Sequence, residues 1–395
     1  VFAAAFAVRV LYLTLAHTYR IHAYDDHMLF GEEMGRIARA LATGYGFSDP
    51  FRGHTGPTAW VGPVFPLVLA GVFKCLGVFT PLSAWTILTI NSLFSALTAS
   101  AIWEIGARCF DQKVARWSAW IWVLYPAAMQ YAVRWIWDTS LSTCFFTWAL
   151  VMALRLRDEP TYRRWVLLGM LWALAGLSNP ALLIFLPACG LWLLAGPGWQ
   201  SRLVGATLGI IVFCACFAPW IWRNWVVFHQ FVPARGNFGA ELYLGNGPGA
   251  TGLLMEYDHP IQAPDQLRLY TRMGEIAYSR MRGQQAMAII HSNPGLFLRN
   301  TLRRVFFFWG GTPHPASSRW EEYGRSLNFV FGSVCGLMGL ALALWRRVPA
   351  AGLFAWAFLL LPLVYYPVAA HARFRHPLEP LIVVLGVYLF QSAER

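Results

Sequence analysis

Charge is what this sequence has least of. Only 13% of its 395 residues are charged, against 57% hydrophobic and 16% aromatic, whereas a soluble domain carries roughly 25% charged residues. A chain so poor in charge cannot clothe an ordinary soluble surface. Acids are scarcer still: 19 Asp and Glu face 31 Lys and Arg, a formal charge of +12. Nucleic acid is one reading of that excess. The basic residues, however, are almost all Arg and stand at the ends of apolar runs, as loop arginines that set membrane orientation do, so no nucleic-acid partner is expected. The seven cysteines offer no framework either. Cys75, Cys109, Cys144, Cys189, Cys214, Cys216 and Cys335 lie in or beside apolar runs, and Cys214 and Cys216 are too close for a zinc spacing. They read as small hydrophobes, with no disulfide scaffold and no metal site. No internal repeat is visible. A starting Met is also missing: the chain opens at Val1 inside an apolar run, so we expect the natural N-terminus to lie upstream.

What is present is membrane-spanning sequence. A spanning helix needs about 20 mostly apolar residues, and candidate runs are 1–17, 84–106, 115–134, 138–155, 164–179, 181–196, 203–223, 325–345, 350–369 and 377–391. This predicts an all-α polytopic membrane protein with about ten transmembrane helices. Twenty Trp and fifteen Tyr suit many helix ends at the headgroup level. One set of short loops holds Arg108, Lys113, Arg116, Arg155, Arg157, Arg163, Arg164, Arg202, Arg346 and Arg347. The alternate set holds only Arg134, Arg373 and Arg375. The richer set should be cytoplasmic, which puts both termini inside and residues 18–83 and 224–324 outside. The organisation is then a transmembrane module, 1–223, with its first outer loop at 18–83; an outer segment, 224–324; and C-terminal transmembrane helices, 325–395.

In the first outer loop, Phe30, Met34, Ile37 and Leu41 recur at helical spacing and Gly44 supplies a stop. An amphipathic helix lying on the membrane surface is expected between Leu29 and Thr43. The apolar run from Val64 to Val78 is too short to span comfortably and suits an interfacial or re-entrant helix. In the outer segment, the glycines from Gly236 to Gly252 predict loop or short strand. Residues 265–290 look helical, and Asn300 to Trp309 suits a helix at the interface.

Because acids are few, their positions are informative. Asp25, Asp26, Glu32, Glu33 and Asp49 crowd the first outer loop. Glu32 precedes Arg36 by four residues, as a solvated helical pair would. Glu33 borders the apolar stripe, where desolvation raises a carboxyl toward general-base work. Asp25 and Asp26 could complement a helix N-terminus or form a paired catalytic or metal site. Asp138 opens the fourth span, either as an N-cap or as a carboxylate facing a cavity at membrane level. On the same side, Arg223 and Asn224 end the seventh span, and His371, Arg373, Arg375 and His376 lie between the ninth and tenth. Arginine forks match phosphate oxygens; interfacial snorkelling is the plainer alternative.

At these residues the chain resembles the GT-C membrane glycosyltransferases, of the family 39 type: the branch of the protein O-mannosyltransferases and the lipid A aminoarabinose transferase. The resemblance covers most of the chain. It is carried by FGEEMGRIARALATGYGFSDPF, TGPTAWVGPVFPLVLAGVF, Asp138 opening a span, GLSNPALLIFLPA, PWIWRNW with LYLGNGPGATG, and RFRHPLEP. It implies a GT-C fold and inverting transfer of a sugar from a polyprenyl-phosphate-linked donor to a lipid, glycan or protein acceptor. The active site would face the periplasm or exterior of the bacterial inner membrane, among membrane lipids. A first-loop carboxylate would be the base and Asp138 its helper. Family spacing would put that base at Phe30, so Asp25, Asp26 and Glu33 stay open. Arg373, Arg375, Arg223 and His376 are the candidates for the donor phosphate, Asn224 and Asn246 for the substrate loops. No cofactor is firmly implied, and a divalent cation is left open. The main alternative is a lipid or solute transporter or flippase, which predicts inverted repeats and broken helices at mid-membrane; a non-catalytic membrane scaffold would leave the outer carboxylates and arginines without a task.

Overall fold

The computed structural model describes residues 1–21, 30–196, 198–253, 258–313 and 318–393. Every apolar run read as a span is helical. The helices are Phe2–Leu15, Pro81–Cys109, Gln112–Leu124 with Pro126–Val133, Thr139–Asp158, Tyr162–Ser178, Leu186–Leu194, Trp199–Phe228, Arg319–Trp345, Ala351–Leu363 and Glu379–Ala393. Two of these are entered through 3₁₀ turns, Pro180–Phe185 and Ala372–Leu378. Among the described residues no strand forms beyond two isolated bridges, Ser48 with Pro57 and Leu253 with Ala370. By length and composition, four of the described helices could cross a membrane unaided: Pro81–Cys109, Thr139–Asp158, Trp199–Phe228 and Arg319–Trp345. Several others are shortened by proline.

The break at Pro126 shows how such a chain keeps its backbone satisfied. Proline cannot donate to the carbonyl four residues back, and its ring pushes the helix away from it. The carbonyls of Trp122 and Val123 are taken instead by the guanidinium of Arg9, at 2.9 and 3.1 Å, from a fully buried position on the first helix. In an apolar interior a free carbonyl is costly, so this buried arginine stitches the first span to the third.

The helix Thr139–Asp158 runs buried along most of its length, while Trp199–Phe228 turns Leu203, Ile210, Ile211 and Trp222 outward. The residues just before the first of these, Trp137 and Asp138, are therefore placed centrally at one end of the bundle. Shorter helices gather at that end: Glu33–Ala42, Val64–Leu76, Phe238–Asn246, Pro264–Met273, Glu275–Ser292 and Pro294–Gly310.

Two expectations are corrected here. The first-loop helix does not lie on a surface: Glu33, Met34, Gly35, Arg36, Ile37, Ala38 and Ala40 are all buried. Its stripe packs with Trp60, Phe65 and Phe73, and its other face is covered as well. Glu32 is not in the helix but immediately precedes it, with φ +48°. The glycine-rich stretch is also helical over Phe238–Asn246. There a β-carbon on Gly245 would overlap the carbonyl oxygen of Val368. Glycine is used for close packing on the chain that follows Ala351–Leu363, not to break a helix.

Candidate functional site

A cavity of about 440 Å³ opens at this end of the bundle. Its wall includes Glu33, Trp60, Asp138, Asn179, Arg235, Asn237, Glu241, His259, Tyr365 and Arg373. These come from seven separate stretches of sequence, so only folding assembles them.

Glu33 is brought in by a bend. Gly31 and Glu32 take φ of +88° and +48°, a left-handed turn that glycine enters freely and glutamate at a cost. A β-carbon on Gly31 would stand 2.5 Å from the carbonyl oxygen of Ile136, so the two backbones meet two residues short of Asp138. Glu33 begins the helix and Asp138 precedes the next span, on the same cavity. The Asp138 carboxylate makes no capping hydrogen bond to its helix, which leaves it to the cavity rather than to the N-cap role.

Burial pushes the Glu33 carboxyl above the usual range, opposed by a backbone hydrogen bond and by the positive charges of Arg373 and Arg235. Both arginines also act electrostatically on Asp138. His259 Nε2 lies 3.5 Å from Glu33 Oε1. The Ile261 N–H donates to His259 Nδ1 at 3.1 Å, so the neutral ring carries its proton on Nε2, facing the carboxylate. Arg373 lies over the ring of Trp137, 3.7 Å from its centroid. Arg235 donates through Nε to the carbonyl of Trp60 at 2.8 Å. Asn179 accepts from Ala181 N–H at 3.2 Å and donates to the Tyr365 hydroxyl at 3.4 Å. Asn237 donates to Glu241 at 2.9 Å.

The other sequence candidates do not open on the cavity, and each has a physical reason. Arg375 pairs with Glu379 at 2.6 Å and donates to Ser333 Oγ, Phe329 O and Trp309 O, with both side chains 1% exposed. His376 is buried between the rings of Trp122 and Tyr131. Arg223 donates to Thr58 O at 2.7 Å and Phe47 O at 2.6 Å. Asn224 donates to Val232 O, and Asn246 to Leu242 O and Pro367 O, from buried positions. Asp25 and Asp26 lie outside the described residues.

Residues 60–222 match the family of dolichyl-phosphate-mannose-protein mannosyltransferases. The archaeal oligosaccharyltransferase AglB from Archaeoglobus fulgidus, solved with an inhibitory peptide and a dolichol-phosphate, superposes on 99% of this chain with a TM-score of 0.55 at 13% identity. The fold is GT-C. A complex of the same oligosaccharyltransferase with Zn and sulfate gives a TM-score of 0.59 over 98% of this chain at 12% identity. ArnT from Cupriavidus metallidurans bound to undecaprenyl phosphate aligns with 99% of this chain and 77% of its own, at 13% identity and a TM-score of 0.42. This GT-C chain spans about half the length of the oligosaccharyltransferase, 50% and 49% in the two superpositions. No curated protein matches it by sequence.

The mannosyltransferase match contains Trp60, Trp137, Asp138 and Asn179, whereas Glu33, Arg235, His259 and Arg373 fall outside it. As for a divalent cation, Glu33 and His259 face each other as two donors of suitable chemistry. A catalytic zinc takes about three protein ligands, and among the described residues no group of three His, Cys, Asp or Glu gathers. Among the described residues the donor set is therefore incomplete for zinc.

Proposed function

We propose that this chain transfers a sugar from a polyprenyl-phosphate-linked donor to a lipid, glycan or protein acceptor, with inversion, at the outer face of a bacterial inner membrane. The observation that carries this reading is the composition of one cavity: Glu33 and Asp138, two of its four carboxylates, share it with two arginines, Arg235 and Arg373. The fold and the family match support the donor class, and the arginine-rich short loops at the opposite end support the orientation.

Glu33 is the base in this reading, and Asp25 and Asp26 are its rivals. It accepts the acceptor hydroxyl proton as that oxygen attacks the anomeric carbon. The bond from that carbon to the phosphate oxygen breaks on the opposite side, and its electron pair leaves with the phosphate. Arg373 and Arg235 meet the charge that develops there, fixed in advance by Trp137 and by the Trp60 carbonyl. Burial keeps Glu33 basic enough to take a proton, and His259 orients its carboxylate. Asp138 assists from the far side of the bend, and Asn179, Asn237 and Glu241 offer partners for sugar hydroxyls.

The test uses the purified chain in nanodiscs with undecaprenyl-phosphate-mannose and undecaprenyl-phosphate-glucose, each carrying labelled sugar, and a membrane extract as acceptor source. Release of undecaprenyl phosphate coupled to labelling of the extract is expected with one donor. Absence of transfer from both, together with no binding of undecaprenyl phosphate, would overturn the reading.

A further inference from the structure

Between Glu275 and Glu321 the sequence has six arginines and not one Asp or Glu. The helix Pro294–Gly310 lies within this stretch. Its Asn300, Arg304 and Phe308 row is buried against the protein. Arg304 donates to the carbonyls of Tyr366 and Pro367, both at 3.2 Å, and to Gly245 O; Trp309 donates to the Tyr366 hydroxyl at 3.0 Å. Tyr366 and Pro367 lie three and four residues beyond the end of the apolar helix Ala351–Leu363. The helix is thus pinned at the level where a membrane helix leaves the hydrocarbon.

Its opposite side is uncovered. At about 100° per residue, Leu298, Leu302 and Phe306 form one edge of an exposed arc and Arg299 and Arg303 the other, the whole spanning about 140°. The three apolar side chains are 59%, 60% and 68% exposed, and a shallow groove of about 480 Å³ runs along them and the two arginines. Arg303 spends one N–H on Thr251 O. An apolar edge beside a cationic edge, on a helix held at headgroup depth, matches a lipid with acyl chains below and negative charge above.

We propose that this face binds anionic phospholipid, with Arg299 and Arg303 on the headgroup and Leu298, Leu302 and Phe306 on the chains. The site is separate from the cavity and independent of any glycosyl transfer. A cationic edge on a helix that carries no acid of its own predicts preference for a net negative headgroup over a zwitterionic one that also carries a phosphate.

The test places the photoreactive residue p-benzoylphenylalanine at Leu302, in nanodiscs of equal phosphatidylglycerol and phosphatidylcholine, and weighs the lipid adducts by mass spectrometry. Phosphatidylglycerol adducts should predominate. The excess should fall about fivefold in Arg299→Gln and again in Arg303→Gln, since each surface cation near an anionic leaflet contributes about that factor. Lys at either position should retain it. An unchanged thermal transition in the Gln variants keeps the comparison clean. Adducts in the ratio of the bulk bilayer, adducts only to protein, or a preference untouched by both Gln changes would each overturn the proposal.

Discussion

The cavity wall and the polar shell behind it are made of the same residue types, yet they spend their hydrogen bonds differently. In the shell, Arg375 is closed by Glu379, Ser333 and two carbonyls, and Arg223 holds Thr58 and Phe47. Glu275 accepts from the Thr58 hydroxyl, from Ala59 N–H at 2.8 Å and from the Tyr270 hydroxyl at 3.0 Å; burial pushes its carboxyl up while these bonds oppose the shift. On the wall, Arg373 rests on an aromatic face and Asp138 leaves its helix uncapped. Groups tied to several partners fix geometry, and groups with fewer protein partners line the cavity. We therefore expect substitutions in the shell to act on folding and substitutions in the wall to act on turnover.

The wall should yield the largest effects. Glu33→Gln and Asp138→Asn keep shape and remove charge, and each is expected to cut transfer by about 10² to 10⁴, the usual contribution of a positioned base or its helper. Thermal unfolding in nanodiscs should be unmoved. Near-normal transfer by Glu33→Gln would hand the role to Asp25 or Asp26.

The shell should show the reverse. Arg375→Ala strands Glu379, which is 1% exposed, without its cation. Breaking one half of a buried pair costs about 3–5 kcal/mol, to be seen as a lowered transition in detergent or nanodiscs. If Arg375→Ala instead folds normally and loses donor affinity, the division between wall and shell is misplaced.

Two residues away, Arg373→Ala should leave stability intact and weaken binding of undecaprenyl phosphate by about 1.5–3 kcal/mol, the worth of a charge-assisted contact. Lys should rescue only in part, because it keeps the charge but loses the fork. Equal affinity in wild type and both variants would move the phosphate to Arg235.

Composition and periodicity already reveal most of the architecture. The apolar runs became helices, and 265–290 became two of them, broken at Gly274 with φ +78°. What stayed hidden depended on facing. Arg373 and Arg375 share a 3₁₀ turn, where positions two apart point about 120° from each other, so only one could meet the cavity. Glu379, four residues beyond Arg375, was the local sign of a closed pair. Glycines between 236 and 252 look the same in a loop as in a tightly packed helix. Arg235 and His259 carried no local signal, since their partners, Trp60 and Glu33, are far away in sequence.

The smallest effect expected is a displacement along the pH axis. A base works only when ionised, so transfer should fall as pH drops through the Glu33 pKa. Burial lifts that pKa above the ordinary carboxylate range, so the acidic limb of the kcat/KM profile should lie at higher pH than for an exposed glutamate. Donors and cations that favour the anion hold it down. His259, whose Nε2 stands 3.5 Å from Glu33 Oε1, is expected to act as one such donor. His259→Ala removes it, and the limb should then move further up. A neutral hydrogen bond is worth about 0.5–1.5 kcal/mol, and one pH unit corresponds to about 1.4 kcal/mol, so the displacement should be about one unit or less. The rate on the alkaline plateau should change little, which separates loss of orientation from loss of the base itself. A limb that stays in place in His259→Ala would mean that the histidine does not act on the ionisation of Glu33. A limb that moves down would mean that it disfavours the anion, as a second positive charge would not.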